Sequence, residues 1–302
     1  MRLIFAGTPG VAARSLQLIA SKHEIALVLT RPDAPIGRKR VITPSPVAEV
    51  AAQLGLKVHK TKKIDAETEL LIEQAESQLA IVAAYGTMIP EAALSKLPWL
   101  NLHFSLLPEW RGASPLQHSM IYGTGIGVTV FLLDQGLDTG RIVAQRPLQF
   151  LPDESAGLAL ERFADIGTEV LLEALEADLE AKPQVGIISS APKLSRQDAK
   201  LNFTRPADEL NRFILAMNPE PMAWSIQNGE PVRILKASVV TEKTALEAAH
   251  ETGDIFNSES KQVLVQCGEL SALILETVQP AGKRETAAND WWNGLKGKAK
   301  FD

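Results

Sequence analysis

Short apolar runs rich in β-forming residues alternate with helical patterns through the first half of the chain, and this alternation constrains the fold most strongly. It is typical of βαβ units, in which helices connect the parallel strands of one sheet. Strands are predicted at residues 2–6, 25–30, 57–59, 79–84, 100–103 and 128–133. The sequence therefore predicts an α/β domain with a mostly parallel sheet.

Prolines mark where two of the intervening helices begin. Proline fits the first helical position, because an amide hydrogen there would have no partner inside the helix. Thr8 and Ser45 each precede such a proline and are able to cap the helix that follows. Further helices are predicted over residues 66–78, after Pro115, and over 155–181, where the longest helical pattern closes the domain.

The pattern changes after this helix. Residues 184–202 lose periodicity, which is typical of a linker. Beyond a helix at 208–216, short alternating strands are predicted at 223–226, 232–240, 263–267 and 270–278. The 302 residues allow two domains at roughly 150 residues each. We predict a Rossmann-like domain over 1–183, a linker over 184–202 and a smaller OB-like β-barrel over 203–302.

Composition excludes several classes of protein. The formal net charge is −5, so only a local basic surface could bind nucleic acid. The single cysteine, Cys267, excludes an intrachain disulfide, and the five histidines have no ligand spacing, so no metal is expected. The longest uncharged stretch, 77–90, is shorter than the roughly 18 apolar residues of a membrane span. With no signal-peptide pattern, a cytoplasmic protein is expected, and we take a monomer as its state.

Asn101 and His103 stand at the C-terminal end of a predicted inner strand, the edge where open parallel sheets bind ligands. Residues two apart on a strand face the same side. An amide donor beside an imidazole is suited to stabilising a tetrahedral oxyanion. The alternative is structural: an asparagine that caps a turn and a buried histidine with its hydrogen bonds satisfied.

Asp138 follows the next strand, in a segment where Gly136 and Gly140 indicate a tight loop. A carboxylate held there could orient His103 and favour its charged form, or take a proton through water. Simple turn formation is the alternative. An aspartic protease is excluded, because it needs a second such carboxylate in an all-β fold.

Together these motifs resemble the folate-dependent formyltransferases. Asn-x-His is followed by Ser105-Leu106-Leu107-Pro108, and Asp138 lies in Gly-Leu-Asp-Thr-Gly. The resemblance is greater to the members that act on aminoacyl-tRNA, whose features recur in order along nearly the whole chain. These are Phe5-Ala6-Gly7-Thr8-Pro9, Arg31-Pro32-Asp33, Ala84-Tyr85-Gly86, Trp110-Arg111-Gly112-Ala113-Ser114-Pro115 and Gln279-Pro280-Ala281-Gly282-Lys283.

The resemblance implies a role for each matching residue. Asn101, His103 and Asp138 would be the catalytic residues. The folate site would be lined by Ser105, Leu106, Leu107, Pro108, Tyr85 and Gly86. The donor would be 10-formyltetrahydrofolate, and the acceptor the methionyl amino group on initiator tRNA. In this mechanism Asn101 and a protonated His103 donate to the developing oxyanion, while Asp138 keeps His103 cationic and relays a proton through water.

Two groups of cations are the predicted tRNA contacts. Arg38, Lys39 and Arg40 lie in a predicted loop over residues 31–43, and Lys283 with Arg284 lies near the C-terminus. Such side chains bind phosphates, although a solvated charge run has the same appearance. Lys296, Lys298 and Lys300 fit either a tRNA track or a soluble tail, and Trp291 and Trp292 are expected to pack rather than stack on bases.

Two other functions stay open from the sequence. One is a formyltransferase for a small amine, such as a nucleotide sugar or glycinamide ribonucleotide. The other is a catalytically silent tRNA-binding protein. The presence of Asn101, His103 and Asp138 argues against a catalytically silent protein. The basic loop over 31–43 and the second domain argue against a small acceptor.

Overall fold

The structure, a computed structural model, describes residues 1–37, 39–177, 180–240, 250–295 and 299–302. The chain divides into two compact units. The first comprises Met1–Pro115, Thr124–Gln149 and Leu160–Ala191, and the second Leu116–Gly123, Phe150–Ala159 and Pro192–Asp302. The first unit therefore extends to Ala191, inside the segment predicted as a linker.

The elements up to Ala191 alternate between strand and helix, as predicted. In chain order they are β1 (Arg2–Gly7), α1 (Gly10–Ala20), β2 (Glu24–Thr30), β3 (Ala34–Ile36), β4 (Val41–Thr43), α2 (Pro46–Gln53), β5 (Val58–Lys60), α3 (Ala66–Gln74), β6 (Leu79–Ala83), α4 (Glu91–Leu94), β7 (Trp99–His103), β8 (Arg111–Gly112), α5 (Pro115–Tyr122), β9 (Gly127–Leu132), β10 (Ile142–Pro147), α6 (Ala156–Glu176) and β11 (Ser190–Ala191).

The main sheet of the first unit has the strand order β10-β9-β7-β6-β1-β2-β5. The pairs β2–β5, β1–β2, β1–β6 and β6–β7 are parallel, which confirms the predicted α/β fold with a mostly parallel sheet. In β1, Leu3, Ile4 and Phe5 are fully buried, as expected for a strand that is covered on both faces. β9 runs antiparallel to β7, and β10 antiparallel to β9. β7 therefore lies inside the sheet, between a parallel neighbour, β6, and an antiparallel neighbour, β9.

Local signals predicted some helix ends and missed others. Ser45 caps α2 as predicted, since its Oγ accepts a hydrogen bond from the Ala48 amide at 3.1 Å. The predicted cap by Thr8 is wrong, because its hydroxyl donates instead to the Tyr85 carbonyl at 3.0 Å. The predicted loop over 31–43 contains a short hairpin in which β3 and β4 pair antiparallel.

The second unit is built on an antiparallel sheet. Its elements after Ala191 are α7 (Ala207–Met217), β12 (Trp224–Gln227), β13 (Glu230–Val239), β14 (Asp254–Asn257), β15 (Val263–Cys267), β16 (Ser271–Pro280), β17 (Thr286–Ala287), α8 (Ala288–Asn293) and β18 (Ala299–Lys300). The strand order is β12-β13-β16-β15-β14-β18, with β17 beside β16. Phe301, just after β18, forms a β-bridge with Gln227 of β12. The two ends of the sheet therefore meet, which confirms the predicted barrel-like domain.

Aromatic side chains near the C-terminus belong to the core of this unit. Trp291 and Phe301 are buried and stack with ring centroids 5.9 Å apart, which confirms the predicted packing role of Trp291. Lys300 pairs with Glu251 at 2.6 Å. Lys296 and Lys298 lie outside the described residues. Within the described part of the chain, no helix combines the length and the apolar character that crossing a membrane requires.

Candidate active site

Asn101 and His103 occupy the end of β7, on the same face of the sheet. The neighbouring strands place Val82 and Phe131 beside Asn101. The edge of the His103 ring meets Phe131, with centroids 6.2 Å apart and ring planes at 88°. Asn101 is half-buried, and its side chain forms no hydrogen bond with any other described residue. Its amide is therefore open to a ligand, whereas His103 is only 4% exposed.

Two groups orient the His103 ring. Nε2 lies 3.0 Å from the carbonyl oxygen of Trp110. A carbonyl only accepts, so Nε2 carries the hydrogen and donates it. Nδ1 faces Asp138, with 3.8 Å between Nδ1 and Oδ2. This distance is too long for a hydrogen bond but short enough for a strong electrostatic interaction in a buried site.

Burial decides the charge of His103. Desolvation lowers the pKa of His103 below its ordinary value, while Asp138 and the hydrogen bond to Trp110 act in the opposite direction. The lowered pKa favours the neutral imidazole at neutral pH, and in this form the hydrogen is on Nε2 and a bare Nδ1 faces Asp138. Asp138 favours the charged form of His103, which is the predicted direction, but burial acts against it more strongly.

The loop around Asp138 is held by its own polar groups. Asp138 has a positive φ of 54°, and its Oδ2 accepts a hydrogen bond from the Gly112 amide at 2.8 Å. Asp134 ties the loop together, because its Oδ1 accepts from the Gly136 amide at 3.0 Å and from the Thr139 hydroxyl at 2.6 Å. Gly140 is required where the loop closes, since a Cβ there would lie 1.6 Å from the Leu132 carbonyl oxygen.

The predicted folate residues after His103 form a tightly bonded loop. Ser105, Leu107 and Pro108 are buried, and Leu106 is half-buried. The Ser105 hydroxyl donates to the Glu109 carbonyl at 2.7 Å. This hydroxyl is therefore used within the loop, and Leu106 has the most exposed side chain of the four.

Tyr85 and Gly86 follow β6, where β6 adjoins β1 and the connections of the sheet leave in opposite directions. Ligands of α/β sheets bind in this kind of crevice. The Tyr85 ring is buried, and burial raises the pKa of its hydroxyl to about 12. Gly86 is exposed with a φ of 73°, and Arg31 donates to its carbonyl at 3.1 Å. Of these two residues, Gly86 therefore offers the open surface.

A surface cavity that the sequence did not predict lies beside the Asp138 loop. Its volume is about 510 Å³, and it is lined by Glu91, Leu94, Ser95, Leu133, Asp134, Gln135 and Gly136. This volume falls within the range of small-molecule sites. Nothing in the sequence pattern joins α4 to the Asp138 loop, because the two segments are some forty residues apart.

The predicted tRNA contacts stand on exposed turns. Lys39 and Arg40 lie in the turn between β3 and β4, and Lys283 and Arg284 between β16 and β17. All four are exposed, and no ion pair engages them within the described ranges. Arg38 lies outside the described residues. The part of the chain that the structure covers contains no cluster of three or more metal-binding side chains.

The mostly parallel sheet and the barrel-like antiparallel domain agree with a formyl-transferring enzyme, and the family models that the chain matches show that class. Residues 1–175 match the family described as Formyl transferase, and residues 193–296 match Formyl transferase, C-terminal domain. The chain belongs to the formyltransferase family, and the resemblance found in the sequence is confirmed.

Curated relatives align over nearly the whole chain. A methionyl-tRNA formyltransferase of Leifsonia xyli subsp. xyli is 43% identical over 307 residues, covering 99% of both chains. One of Arthrobacter sp. (strain FB24) is 42% identical over 302 residues, covering 97% of both. Among solved structures, HypX from Aquifex aeolicus in complex with tetrahydrofolic acid has a TM-score of 0.65 at 19% identity. It covers 98% of this chain and 48% of its own, and it supports the fold alone.

Proposed function

We propose that this chain transfers the formyl group of 10-formyltetrahydrofolate to the amino group of methionyl-initiator tRNA. The product is N-formylmethionyl-tRNA, which serves translation initiation. One observation carries the proposal: a buried His103, held between the Trp110 carbonyl and Asp138, stands beside the open amide of Asn101. The relatives that align over 97% or more of the chain bear the same activity in their names.

The first task of the site is to stabilise charge on the formyl oxygen. The methionyl amine attacks the formyl carbon, and the carbonyl oxygen becomes an oxyanion. Asn101 is suited to donate to this oxygen, because its amide has no competing partner among the described residues. A preorganised donor of this kind contributes on the order of 3 kcal/mol to the barrier reduction.

The second task is to move one proton. The amine loses a proton as its new C–N bond forms, and N10 of the folate gains one as the old C–N bond breaks. A neutral His103 can accept the proton at Nδ1, and the nearby Asp138 stabilises the imidazolium as it forms. His103 is cationic until it returns this proton, through water, to N10 of the folate. Burial penalises the cation, and Asp138 offsets part of that penalty.

The donor site that we propose uses the loop after His103 and the cavity beside the Asp138 loop. In the loop after His103, Leu106 offers an apolar surface. In the cavity beside the Asp138 loop, Leu94 and Leu133 form part of the lining. Glu91, Ser95 and Gln135 add hydrogen-bonding groups to that cavity. A flat heteroaromatic ring with amide and amino groups needs this combination of apolar walls and polar edges.

The acceptor site that we propose includes the β3–β4 hairpin and the β16–β17 turn. Lys39, Arg40, Lys283 and Arg284 are exposed cations on a chain whose net charge is −5, so they are local sites for phosphate. Such contacts position a nucleic acid without reading its sequence. Formylation of tRNA takes place where translation does, so the cytoplasm stays the predicted location. A monomeric state is a separate prediction.

The direct test offers three acceptors to the purified protein with labelled 10-formyltetrahydrofolate: methionyl-initiator tRNA, methionyl-elongator tRNA and free methionine. Label transferred to the initiator alone is the expected result. Transfer to free methionine, or to none of the three while the folate binds, would contradict the proposal and favour a small-amine acceptor or a silent binder.

A further inference from the structure

Residues 182–191, which we name the brace segment, bond to the backbone that positions His103 and Asp138, which we name the catalytic pair. At one end, Lys182 and Ile142 exchange two backbone hydrogen bonds of 2.8 Å each. At the other end, β11 pairs in parallel with β8, so Ala191 lies beside Gly112. The segment begins within two residues of the predicted boundary at 183, yet both of its ends are bonded into the first unit.

Gln184 holds the Asp138 loop from this segment. Its Nε2 donates to the carbonyl oxygens of Asp138 and Gly140, both at 2.8 Å. Its Oε1 accepts from Arg111, at 3.1 Å from Nε and 2.6 Å from Nη2. Carbonyls only accept and a guanidinium only donates, so the amide has one possible orientation. Both N–H donors of the Gln184 side chain are used to fix the loop.

Ser189 holds the other side of the catalytic pair. Its Oγ accepts a hydrogen bond from the Trp110 amide at 2.8 Å. Trp110 has a positive φ of 63°, which is uncommon for a residue other than glycine. The carbonyl of the same residue accepts from Nε2 of His103. Ser189 therefore fixes the group that orients the imidazole.

We infer that Gln184 and Ser189 are positioning residues, which together set the orientation of His103 towards Asp138. This inference rests on the proposed function and names two residues that support its catalytic pair. Neither one contacts a reacting atom in this assignment. Each acts through the backbone that it holds, Gln184 through Asp138 and Ser189 through Trp110.

The brace segment contributes little apolar burial to the fold. Val185, Ile187 and Ile188 are 87%, 81% and 65% exposed. Stabilisation by the hydrophobic effect scales with buried apolar area, so these side chains add almost none. Loss of Gln184 or Ser189 should therefore change the reaction more than it changes stability.

The first test compares Gln184→Ala, Gln184→Glu and the neighbouring control Val185→Ala. Glutamate keeps an acceptor for Arg111 but presents no donor to the two loop carbonyls. Because a small misplacement costs about a hundredfold in rate, both Gln184 variants should lower kcat by roughly tenfold to a hundredfold. KM for both substrates should stay within about threefold, and Val185→Ala should match the wild type.

The second test uses adjacent serines. Ser189→Ala should lower kcat, Ser189→Thr should restore it by keeping the hydroxyl, and Ser190→Ala is the matched control. NMR titration of His103 supplies a readout besides activity: with Asp138 loosened in Gln184→Ala, the pKa of His103 should fall further, because Asp138 raises it.

The outcomes separate the two proposals. If kcat and the His103 titration stay unchanged in Gln184→Ala and Ser189→Ala while His103→Ala is inactive, the inference is wrong and the proposed function stands. If His103→Ala itself turns over normally, the proposed function loses its catalytic pair. A variant that lowers kcat only in proportion to its loss of folded protein also overturns the inference.

Discussion

His103 is 4% exposed, whereas Ile36, Val41 and Ile42 of the β3–β4 hairpin are 56%, 59% and 65% exposed. Around His103, the loops are joined by hydrogen bonds from several separate segments of the chain, while the hairpin has mainly its own pairing. Acyl transfer needs donors that are already aligned with the transition state. Phosphate contacts need charge within reach and tolerate movement. Under the proposed function, the difference between the two regions follows from what each would bind.

The largest effect should follow from His103→Ala. We expect turnover to fall by a hundredfold or more, because the proton acceptor and a source of charge stabilisation are lost together. Affinity for tRNA should stay within about twofold, since the proposed phosphate contacts are on exposed turns. Single-turnover formyl transfer and filter binding measure the two quantities, with the exposed His250→Ala as control.

Loss of both rate and tRNA affinity in His103→Ala would remove the contrast between the two regions. In that case the catalytic loops would themselves be part of the tRNA surface. Near-normal single-turnover chemistry would instead remove His103 from the reaction.

A smaller effect should follow from Thr129→Val. Thr129 is fully buried, and its Oγ1 donates to the Ser105 carbonyl at 2.6 Å and accepts from the Leu107 amide at 3.1 Å. The Gln145 amide also donates to Oγ1, at 2.9 Å, so valine leaves three groups without this partner, at a cost of about 1–3 kcal/mol in stability. We expect KM for the formyl donor to rise about tenfold, measured by initial rates, while Thr129→Ser stays near wild type.

The sequence predicted the elements better than the connections between them. The positions of β7 and of Asn101 with His103 follow from short apolar runs and from a period of two, which are local signals. The antiparallel direction of β9 has no such signal. The missing cap of α1 has no local signal either, because the Thr8 hydroxyl bonds instead to the Tyr85 carbonyl, 77 residues away.

The site was predicted only as far as its motifs extend. Asn101, His103 and Asp138 stand in recognisable patterns, but Gln184 is a lone glutamine in an aperiodic segment, 46 residues from Asp138. The sequence also did not predict the lowered pKa of His103, because desolvation depends on packing from elements distant in sequence.

Substitutions in the β3–β4 hairpin should lower the affinity for tRNA and leave kcat unchanged. Lys39→Ala combined with Arg40→Ala should weaken tRNA binding several-fold and reduce the slope of log affinity against log salt by about 1 to 2, since each phosphate contact contributes about 0.9. At saturating tRNA, kcat should be unchanged. Lys22→Ala with Lys57→Ala makes the same charge change on exposed residues outside the hairpin and should leave the slope unaltered.

The smallest effect concerns stability in acid. Burial lowers the pKa of His103 in the folded protein below the value of about 6.5 that it regains on unfolding. Between these two values the unfolded chain binds more protons, so the free energy of unfolding rises with pH and is lost on acidification through this window. The unfolding temperature of the wild type should therefore fall more between pH 7.5 and pH 5 than that of His103→Gln. His23, whose pKa burial also lowers, is present in both proteins and cancels. Equal losses in the two proteins would mean that folding leaves the pKa of His103 unchanged, and the contrast between a buried His103 and a solvated hairpin would then be much weaker.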